Sequence, residues 1–120
     1  MAVRAVRGAT QIDRDEPAAI HGATAELLDE VVARNDLSAE DFISVVFTMT
    51  PDLASGFPAA AARERGLSDV PLLCATEIGV PGALPRVIRL LAHVESDRPR
   101  AAIRHVYLRG ATQLRPDLAA

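Results

Sequence analysis

The clearest periodic pattern in the chain is an amphipathic stripe that begins at Pro17 and ends near Asn35. Small or apolar residues recur there at spacings of three and four, at Ile20, Ala23, Thr24, Leu27, Leu28, Val31 and Val32. This spacing is typical of an α-helix with one buried side. Pro17 follows two acidic residues, and both features favour the first turn of a helix. The pattern therefore predicts a helix over residues 17–35, with Asn35 at its end.

Most of the other apolar segments have the length and residue types of β-strands. Candidate strands lie at residues 2–9, 43–50, 70–75, 86–95 and 103–108. The segment 43–50 is β-branched and almost continuously apolar, which predicts a central strand covered on both faces. The segment 86–95 fits two patterns, because its even-numbered residues alternate as in a strand while Leu84, Val87, Ile88 and Leu91 form a helical stripe. Its β-branched residues and the preceding Pro- and Gly-rich loop favour the strand.

A short alanine-rich segment completes the set of predicted elements. Residues 58–65 are expected to form a helix, with Pro58 in its first turn and Gly66 after its end. Helices and strands alternate early in the chain and strands follow one another later, so we predict an α/β (α+β) fold with a mixed sheet. The 120 residues are expected to form a single domain, with a mobile tail over about 112–120.

Composition narrows the classes of function. Hydrophobic residues make up 49% of the chain but aromatic residues only 3%, an apolar content that hints at burial between subunits. The net charge is −3 and no basic block is present, which argues against a nucleic-acid partner. The single cysteine, Cys74, fits a reducing cytosol. The start of the chain lacks the apolar core of a signal peptide, and no run is long enough to span a membrane. We therefore expect a cytoplasmic location.

One acidic residue, Glu77, stands at the end of an apolar run and is followed by arginines. The run over residues 70–75 contains no charged side chain, and Arg86 and Arg89 come soon after Glu77. A carboxylate in such a place is expected to be partly desolvated, which is tolerated only when the charge is paired or hydrogen-bonded. The sequence therefore predicts a cationic partner or a bound ligand at Glu77.

Arginines are the remaining candidates for chemistry. Arg89 lies among apolar neighbours, and its guanidinium cannot lose its charge, so it needs a carboxylate from Glu77 or from a ligand. The three histidines are scattered, and neither a metal-ligand cluster nor an acid–base pair nor a nucleophile with its base is evident. Several arginines, one acid and Tyr107 describe a pocket for a small carboxylate-bearing anion. A reaction in this pocket should need only positioning and electrostatics.

Six segments of the chain together resemble the monofunctional chorismate mutases of the AroH type. The segments are Arg4-Ala5-Val6-Arg7-Gly8-Ala9-Thr10, Thr50-Pro51-Asp52-Leu53, Phe57-Pro58-Ala59, Cys74-Ala75-Thr76-Glu77, Arg104-His105-Val106-Tyr107-Leu108 and Leu114-Arg115-Pro116-Asp117-Leu118. They occur in the order found in that family and cover nearly the whole chain. The resemblance implies a ferredoxin-like mixed sheet that assembles as a trimeric pseudo-α/β barrel. It also implies a homotrimer that converts chorismate to prephenate in clefts between subunits, without a cofactor.

The resemblance assigns roles to individual residues. Arg7 and Tyr107 would hold the side-chain carboxylate of the substrate, and Arg89 would face the ether oxygen. Glu77 and Cys74 would take the ring hydroxyl. The expected catalytic residues are Arg7, Glu77 and Arg89. Substrate contacts would also involve Phe57, Ala59, Arg63, Leu72, Leu73, Leu114 and Arg115, with Phe57 and Arg63 supplied by a neighbouring subunit. No metal site is expected.

Two details refine this expectation. Ala60 stands where the family often has a lysine, which leaves more of the ring-carboxylate contact to Arg63 and Arg115. The resemblance also leads us to expect that Glu77 and Arg89 bracket a ligand and do not neutralise each other.

Two other classes of function remain open at this stage. One is a hydrolase resembling the small trimeric imine deaminases, which also place an arginine at a subunit cleft. The other is a non-catalytic trimer that binds an aromatic-pathway metabolite. Loss of the ultraviolet absorbance of chorismate would distinguish the mutase from both.

Overall fold

A computed structural model describes residues 1–116 of the chain. Its five strands are β1 (Ala2–Gln11), β2 (Phe42–Met49), β3 (Leu72–Thr76), β4 (Val87–Ser96) and β5 (Val106–Tyr107). They form one sheet in the order β3-β2-β4-β1-β5. The β1–β4 and β2–β4 pairs are antiparallel, whereas β2–β3 and β1–β5 are parallel. The predicted mixed sheet is confirmed, and β4 is a strand.

Two helices cover one face of this sheet. Helix α1 spans Pro17–Asn35, as its periodicity predicts, and ends where Asp36 adopts a left-handed conformation (φ 56°). Helix α2 spans Pro58–Ala62 and continues as a π-helical turn over Arg63–Leu67. Gly66 interrupts that turn with a φ of 93°, a conformation that glycine adopts without strain. The predicted end of this helix near residue 65 is therefore close to the observed one.

The main core lies between the helices and the sheet. Leu27 and Leu28 of α1 are buried against Phe47 of β2 and Leu90 of β4. Burial of each such side chain stabilises the fold by about 1.5–3 kcal/mol. Gly8 lets α1 approach closely, because a Cβ atom at this position would lie 3.1 Å from Cδ1 of Leu27. The helix-facing side of the sheet is thus closely packed.

The opposite face of the sheet, here called the open face, is uncovered over much of its area. It carries the odd-numbered side chains of β1, β3 and β4 and the even-numbered side chains of β2 from Ser44 onward, as the strand registers require. Leu73 is 63% exposed and Val3 is 60% exposed on this face. The prediction that β2 is covered on both faces is wrong for the chain by itself, because only one of its faces packs against helices. A continuous apolar run in the sequence does not show whether a face of the strand is buried within its own chain or against a partner.

The last elements differ from the sequence prediction in length. The final strand is shorter than the predicted 103–108, because Arg104 makes its backbone hydrogen bonds to the side chain of Asn35. β1 runs two residues beyond its predicted end, to Gln11. A 3-10 helix spans Arg109–Gln113, and Leu114 packs against the buried residues around Tyr107. A mobile tail from about residue 112 stays a prediction, and residues 117–120 lie outside the described part of the chain.

Candidate active site

Cross-strand pairing places the candidate residues in two neighbouring rows on the open face. In the first row Thr48 of β2 lies opposite Arg89 of β4, Arg89 opposite Ala9 of β1, and Ala9 opposite Tyr107 of β5. Arg7 lies two residues before Ala9, so it points from the same face in the next row. The sheet therefore brings together Arg7, Arg89 and Tyr107, which are almost a whole chain apart in sequence.

Glu77 follows β3 and joins this group through its carboxylate. Its backbone N–H donates to the carbonyl of Met49 at 2.9 Å, which extends the pairing with β2. The Thr48 hydroxyl donates to Oε2 of Glu77 at 2.6 Å, and Nε of Arg89 lies 3.1 Å from the same oxygen. The Glu77 side chain is only 16% exposed, which confirms that its charge is partly desolvated and paired.

The contact between Glu77 and Arg89 corrects one expectation. We expected the two side chains to bracket a ligand and not to neutralise each other, but they form an ion pair. Glu77 follows β3 and Arg89 lies on β4, so their side chains meet across Thr48 of the intervening strand β2. A partly desolvated carboxylate favours contact with a cation. Arg89 remains 44% exposed. Within residues 1–116 its Nη groups donate no hydrogen bond, so they can serve a ligand while Nε remains beside Glu77.

The segment Thr50-Pro51-Asp52 sets the start of β4 and hence the position of Arg89. The Thr50 hydroxyl accepts the N–H of Val87 at 3.0 Å and donates to Asp52 at 2.5 Å. The Asp52 carboxylate accepts the N–H of Arg86 at 3.0 Å. Arg86 has a φ of 52°, and these bonds hold it in that uncommon conformation. The register that puts Arg89 opposite Thr48 begins at this junction.

His105 contacts the backbone of Arg7 at the other end of the site. The N–H of Arg7 donates to Nδ1 of His105 at 2.9 Å. Burial, and then the nearby charges of Arg7 and Arg115, lower the pKa of the His105 imidazole below its usual value of 6.5. The ring is therefore neutral near pH 7, which agrees with its role as an acceptor. Tyr107 is buried with Leu114 beside this group.

Cys74 and Phe57 meet away from the ion pair. They line a cavity of about 390 Å³ near the loop that leads into α2. Cys74 packs against the main core, so its side chain faces the helices while Glu77 lies on the open side. Phe57 is 72% exposed. We expected Phe57 to come from another subunit, yet here it shares a cavity with Cys74 of its own chain.

The other predicted contact residues have varied environments. Ala59 and Leu72 pack in or against the main core, so their side chains do not reach the open face. Leu73 lies on the open face, opposite Val46 of β2. Arg63 is exposed in the turn after α2, and within residues 1–116 no hydrogen bond or ion pair joins it to Glu77 or Arg89. The structure thus places Arg7, Glu77, Arg89 and Tyr107 in one region of the sheet. Ala59, Arg63 and Leu72 lie outside that region.

Two residues at the site, Thr48 and His105, have no role among the expectations from the sequence. Thr48 was read only as part of an apolar strand, although a hydroxyl at an alternating position among β-branched residues was a usable signal. His105 lies in the predicted final strand, where the sequence indicates no partner for it. Its proximity to Arg7 depends on the parallel β1–β5 pairing, which no local pattern shows. Across the described residues there is no group of three His, Cys, Asp or Glu side chains that could hold a metal ion.

These features define a class: a small α+β protein that presents arginines and one paired carboxylate on the open face of a five-stranded sheet. The family model of chorismate mutase type I matches residues 3–118. The chain belongs to this family. It is an isomerase with the activity of a chorismate mutase, an enzyme of aromatic amino-acid biosynthesis, and the hydrolase alternative is not supported.

Individual relatives agree with the family assignment. The chain is 54% identical to the chorismate mutase AroH of Thermus thermophilus over 117 residues, which cover 97% of this chain and 96% of that protein. It is 41% identical to the AroH protein of Bacillus subtilis over 120 residues, covering 99% and 94%. A solved chorismate mutase from Clostridium thermocellum superposes with a TM-score of 0.89 at 43% identity, covering 91% of this chain and 97% of the other. The sequence resemblance and the predicted fold class are confirmed.

Proposed function

We propose that this chorismate mutase converts chorismate to prephenate on the open face of its sheet, with Arg89, Glu77 and Arg7 as the catalytic residues. The observation that carries the proposal is the chain of contacts from Thr48 through Glu77 to Arg89. These contacts hold the guanidinium of Arg89, which stays charged, in one orientation and leave its Nη groups available to a ligand. No cofactor is part of the proposal.

The chemistry of the rearrangement suits such a site. A carbon–oxygen ether bond breaks while a carbon–carbon bond forms in one pericyclic step, so neither a base nor a nucleophile is needed. Negative charge grows on the ether oxygen in the transition state. A guanidinium already oriented toward that oxygen stabilises the charge without reorganisation, which is the kind of contribution that raises kcat. The remaining gain comes from holding the reactive conformer of the substrate.

The substrate's polar groups can be matched to individual side chains. Arg7 and Tyr107 would hold the side-chain carboxylate, and Arg63 and Arg115 would hold the ring carboxylate. The ring hydroxyl would donate to Oε1 of Glu77, since the two protein contacts of that carboxylate both end on Oε2. The backbone of Cys74 can assist, because β3 is an edge strand. Pro71 and Glu77 bond to β2, so by alternation the backbone groups of Cys74 point away from it.

We include a homotrimer in the proposal, with the substrate in a cleft between subunits. The open face supports this, since Val3, Leu73 and Leu91 expose apolar surface there that a second sheet would cover. Phe57, Arg63, Leu73 and Leu114 stay in the proposal as further side-chain contacts of the substrate. Ala59 and Leu72, whose side chains pack in or against the main core, stay in it as contacts through their backbone. Contact from Phe57 or Arg63 of a neighbouring subunit would be compatible with their exposure.

A cytoplasmic location also belongs to the proposal, because a single cysteine fits a reducing compartment. Within residues 1–116, no helix has the length and apolar character needed to cross a membrane.

The test measures both the turnover of chorismate and the molecular mass of the assembly. Purified protein is mixed with chorismate, loss of chorismate absorbance is followed, and prephenate is identified as the product. Light scattering should give three times the chain mass of 12.8 kDa. Leu73→Asp should dissociate the trimer and reduce turnover, whereas Ile78→Asp, at an exposed loop position, should change neither. Binding of chorismate without formation of prephenate would contradict the proposal, and an active monomer would contradict its trimeric part.

A further inference from the structure

The pairing between β1 and β5 is completed by a side chain. Odd-numbered residues of β1 direct their backbone groups toward β5, as shown by the carbonyl of Ala9, which accepts the N–H of Leu108 at 2.9 Å. The N–H of Arg7 points the same way. Its acceptor is not a backbone carbonyl but Nδ1 of the His105 imidazole, at 2.9 Å. A ring nitrogen therefore takes one position of the hydrogen-bond ladder.

The backbone that would otherwise take this position is occupied elsewhere. Asn35, at the end of α1, accepts the N–H of Arg104 and donates to its carbonyl, both at 2.8 Å. β5 consequently begins only at Val106. Without the imidazole, the N–H of Arg7 would lose its partner at the edge of the site, and the strand that carries Arg7 would lose one of its anchors.

We propose that His105 is a positioning residue for Arg7: its neutral ring, with Nδ1 unprotonated, anchors the backbone from which the Arg7 guanidinium reaches the substrate's carboxylate. This inference rests on the proposed function, in which Arg7 binds that carboxylate. His105 does not touch the substrate in this arrangement. It acts through the position of Arg7.

The surroundings of His105 favour the neutral ring. It shares a cavity with Arg4 of β1, His93 of β4 and Arg100 of a 3-10 helix, and no carboxylate of the described residues lines that cavity. Arg7 and Arg115 add two further cations, which together with burial lower the pKa of the imidazole. A ring in a cationic environment resists protonation, and a neutral ring can leave Nδ1 free as an acceptor.

Asparagine and leucine at position 105 provide a matched test. The two side chains have nearly the same shape, but Asn places an oxygen close to the position of Nδ1 and Leu places a methyl group there. In the chorismate assay we expect His105→Leu to raise KM about tenfold, the typical effect of one lost hydrogen bond. We expect kcat to change less than KM, because Arg7 binds a carboxylate that does not react. His105→Asn should keep KM within about twofold of the wild-type value.

Several results would overturn the inference. Equal KM values for the Asn and Leu variants, whether raised or unchanged, would show that the acceptor is irrelevant. The control His21→Asn, on the outer side of α1 beside Glu64, should leave KM unchanged. A second measurement needs no activity and no stable Leu variant. The ¹⁵N spectrum of histidine-labelled wild-type protein, assigned with His105→Asn, should show an unprotonated Nδ1 at His105 near pH 7, and a protonated Nδ1 would refute the proposal.

The same experiments separate this inference from the proposed function. If the wild-type protein does not convert chorismate, the proposed function fails while the spectrum still reports on His105. If the wild-type protein is active but Arg7→Ala has an unchanged KM, the role of Arg7 in binding is wrong and the inference falls with it. If Arg7→Ala raises KM and His105→Leu does not, the positioning role alone is refuted.

Discussion

Nε of Arg89 lies 3.1 Å from Oε2 of Glu77, and the hydroxyl of Thr48 donates to that same oxygen. The ion pair is therefore anchored to β2, an interior strand of the sheet. An isolated exposed ion pair contributes little to stability. In the proposed mechanism its value is orientation, because a guanidinium that is already in place stabilises developing charge without having to reorganise. In that mechanism the ion pair with Glu77 orients the guanidinium of Arg89 toward the substrate.

Removal of the cation should abolish the rearrangement. We expect Arg89→Ala to reduce kcat/KM by about 10³ or more, since the loss of one preorganised donor in other enzymes costs about 10²–10³ in kcat. Replacement by citrulline, which keeps the shape and loses the charge, should lower kcat more than it raises KM. The decrease in chorismate absorbance measures both. Arg65→Ala, in the turn after α2, serves as control, and near-normal turnover by Arg89→Ala would refute the assignment.

The Thr48 hydroxyl should matter through its bond to Glu77. Valine has the same shape without the donor, so Thr48→Val should lower kcat/KM about tenfold while the fold is retained. Thr48→Ser keeps the hydroxyl and should lie closer to the wild-type value. Steady-state kinetics would be compared with urea denaturation of each variant. Equal activity of the Val and Ser variants would show that the 2.6 Å bond has no part in positioning Arg89.

The buried hydroxyl of Thr10 offers a stability test away from the site. Thr10 is fully buried between β1 and the helices, and its Oγ1 has no hydrogen-bond partner in the described part of the chain. Thr10→Val removes this desolvated group with little change of shape, so it should raise the free energy of unfolding by about 1 kcal/mol. Urea denaturation measures the change. The control is Thr24→Val, which should destabilise the protein because the equally buried Thr24 donates to the carbonyl of Ile20 at 2.8 Å.

Asp15 should make stability depend on pH in the acid range. Its carboxylate accepts hydrogen bonds from the Ser55 hydroxyl and from the N–H groups of Ala54 and Ser55. These bonds, with that of the Ser55 hydroxyl the strongest cause, hold the pKa of Asp15 below its usual value of 3.8. The unfolded chain therefore takes up a proton first as the pH falls. The contribution of Asp15 is fully present above the unfolded pKa and is lost as the pH falls through the folded one.

The corresponding experiment compares Asp15→Asn with the wild-type protein at two pH values. Near pH 7 the variant should have the lower denaturation midpoint, and the difference should narrow as the pH falls below 3.8 and the wild-type carboxylate takes up its proton. Asp69→Asn, at an exposed position in the turn before β3, should show no such convergence. A difference between Asp15→Asn and wild type that stays constant with pH would contradict the prediction.

The elements that could be predicted from the sequence are those with a strong local periodicity of apolar residues. The stripe of α1 and the alternation of β4 specify which side of each element is apolar, so both could be predicted without knowledge of their neighbours. The partly desolvated charge of Glu77 was also predictable, because an acid at the end of an apolar run has few ways to stay hydrated. The short length of β5 was not predictable, because it results from the hydrogen bonds between the Asn35 side chain and the backbone of Arg104.

The helices, most of the strands, the residue types of the site and, through its motifs, the family could be predicted from the amino-acid sequence. The contact of Glu77 with Arg89, the bond from Thr48 and the bond by which His105 completes the pairing of the strand bearing Arg7 are known only from the three-dimensional fold. The physical reason is the range of the interactions involved. Periodicity and burial act between residues a few positions apart, whereas these contacts arise from the register of strands that pair across nearly the whole length of the chain.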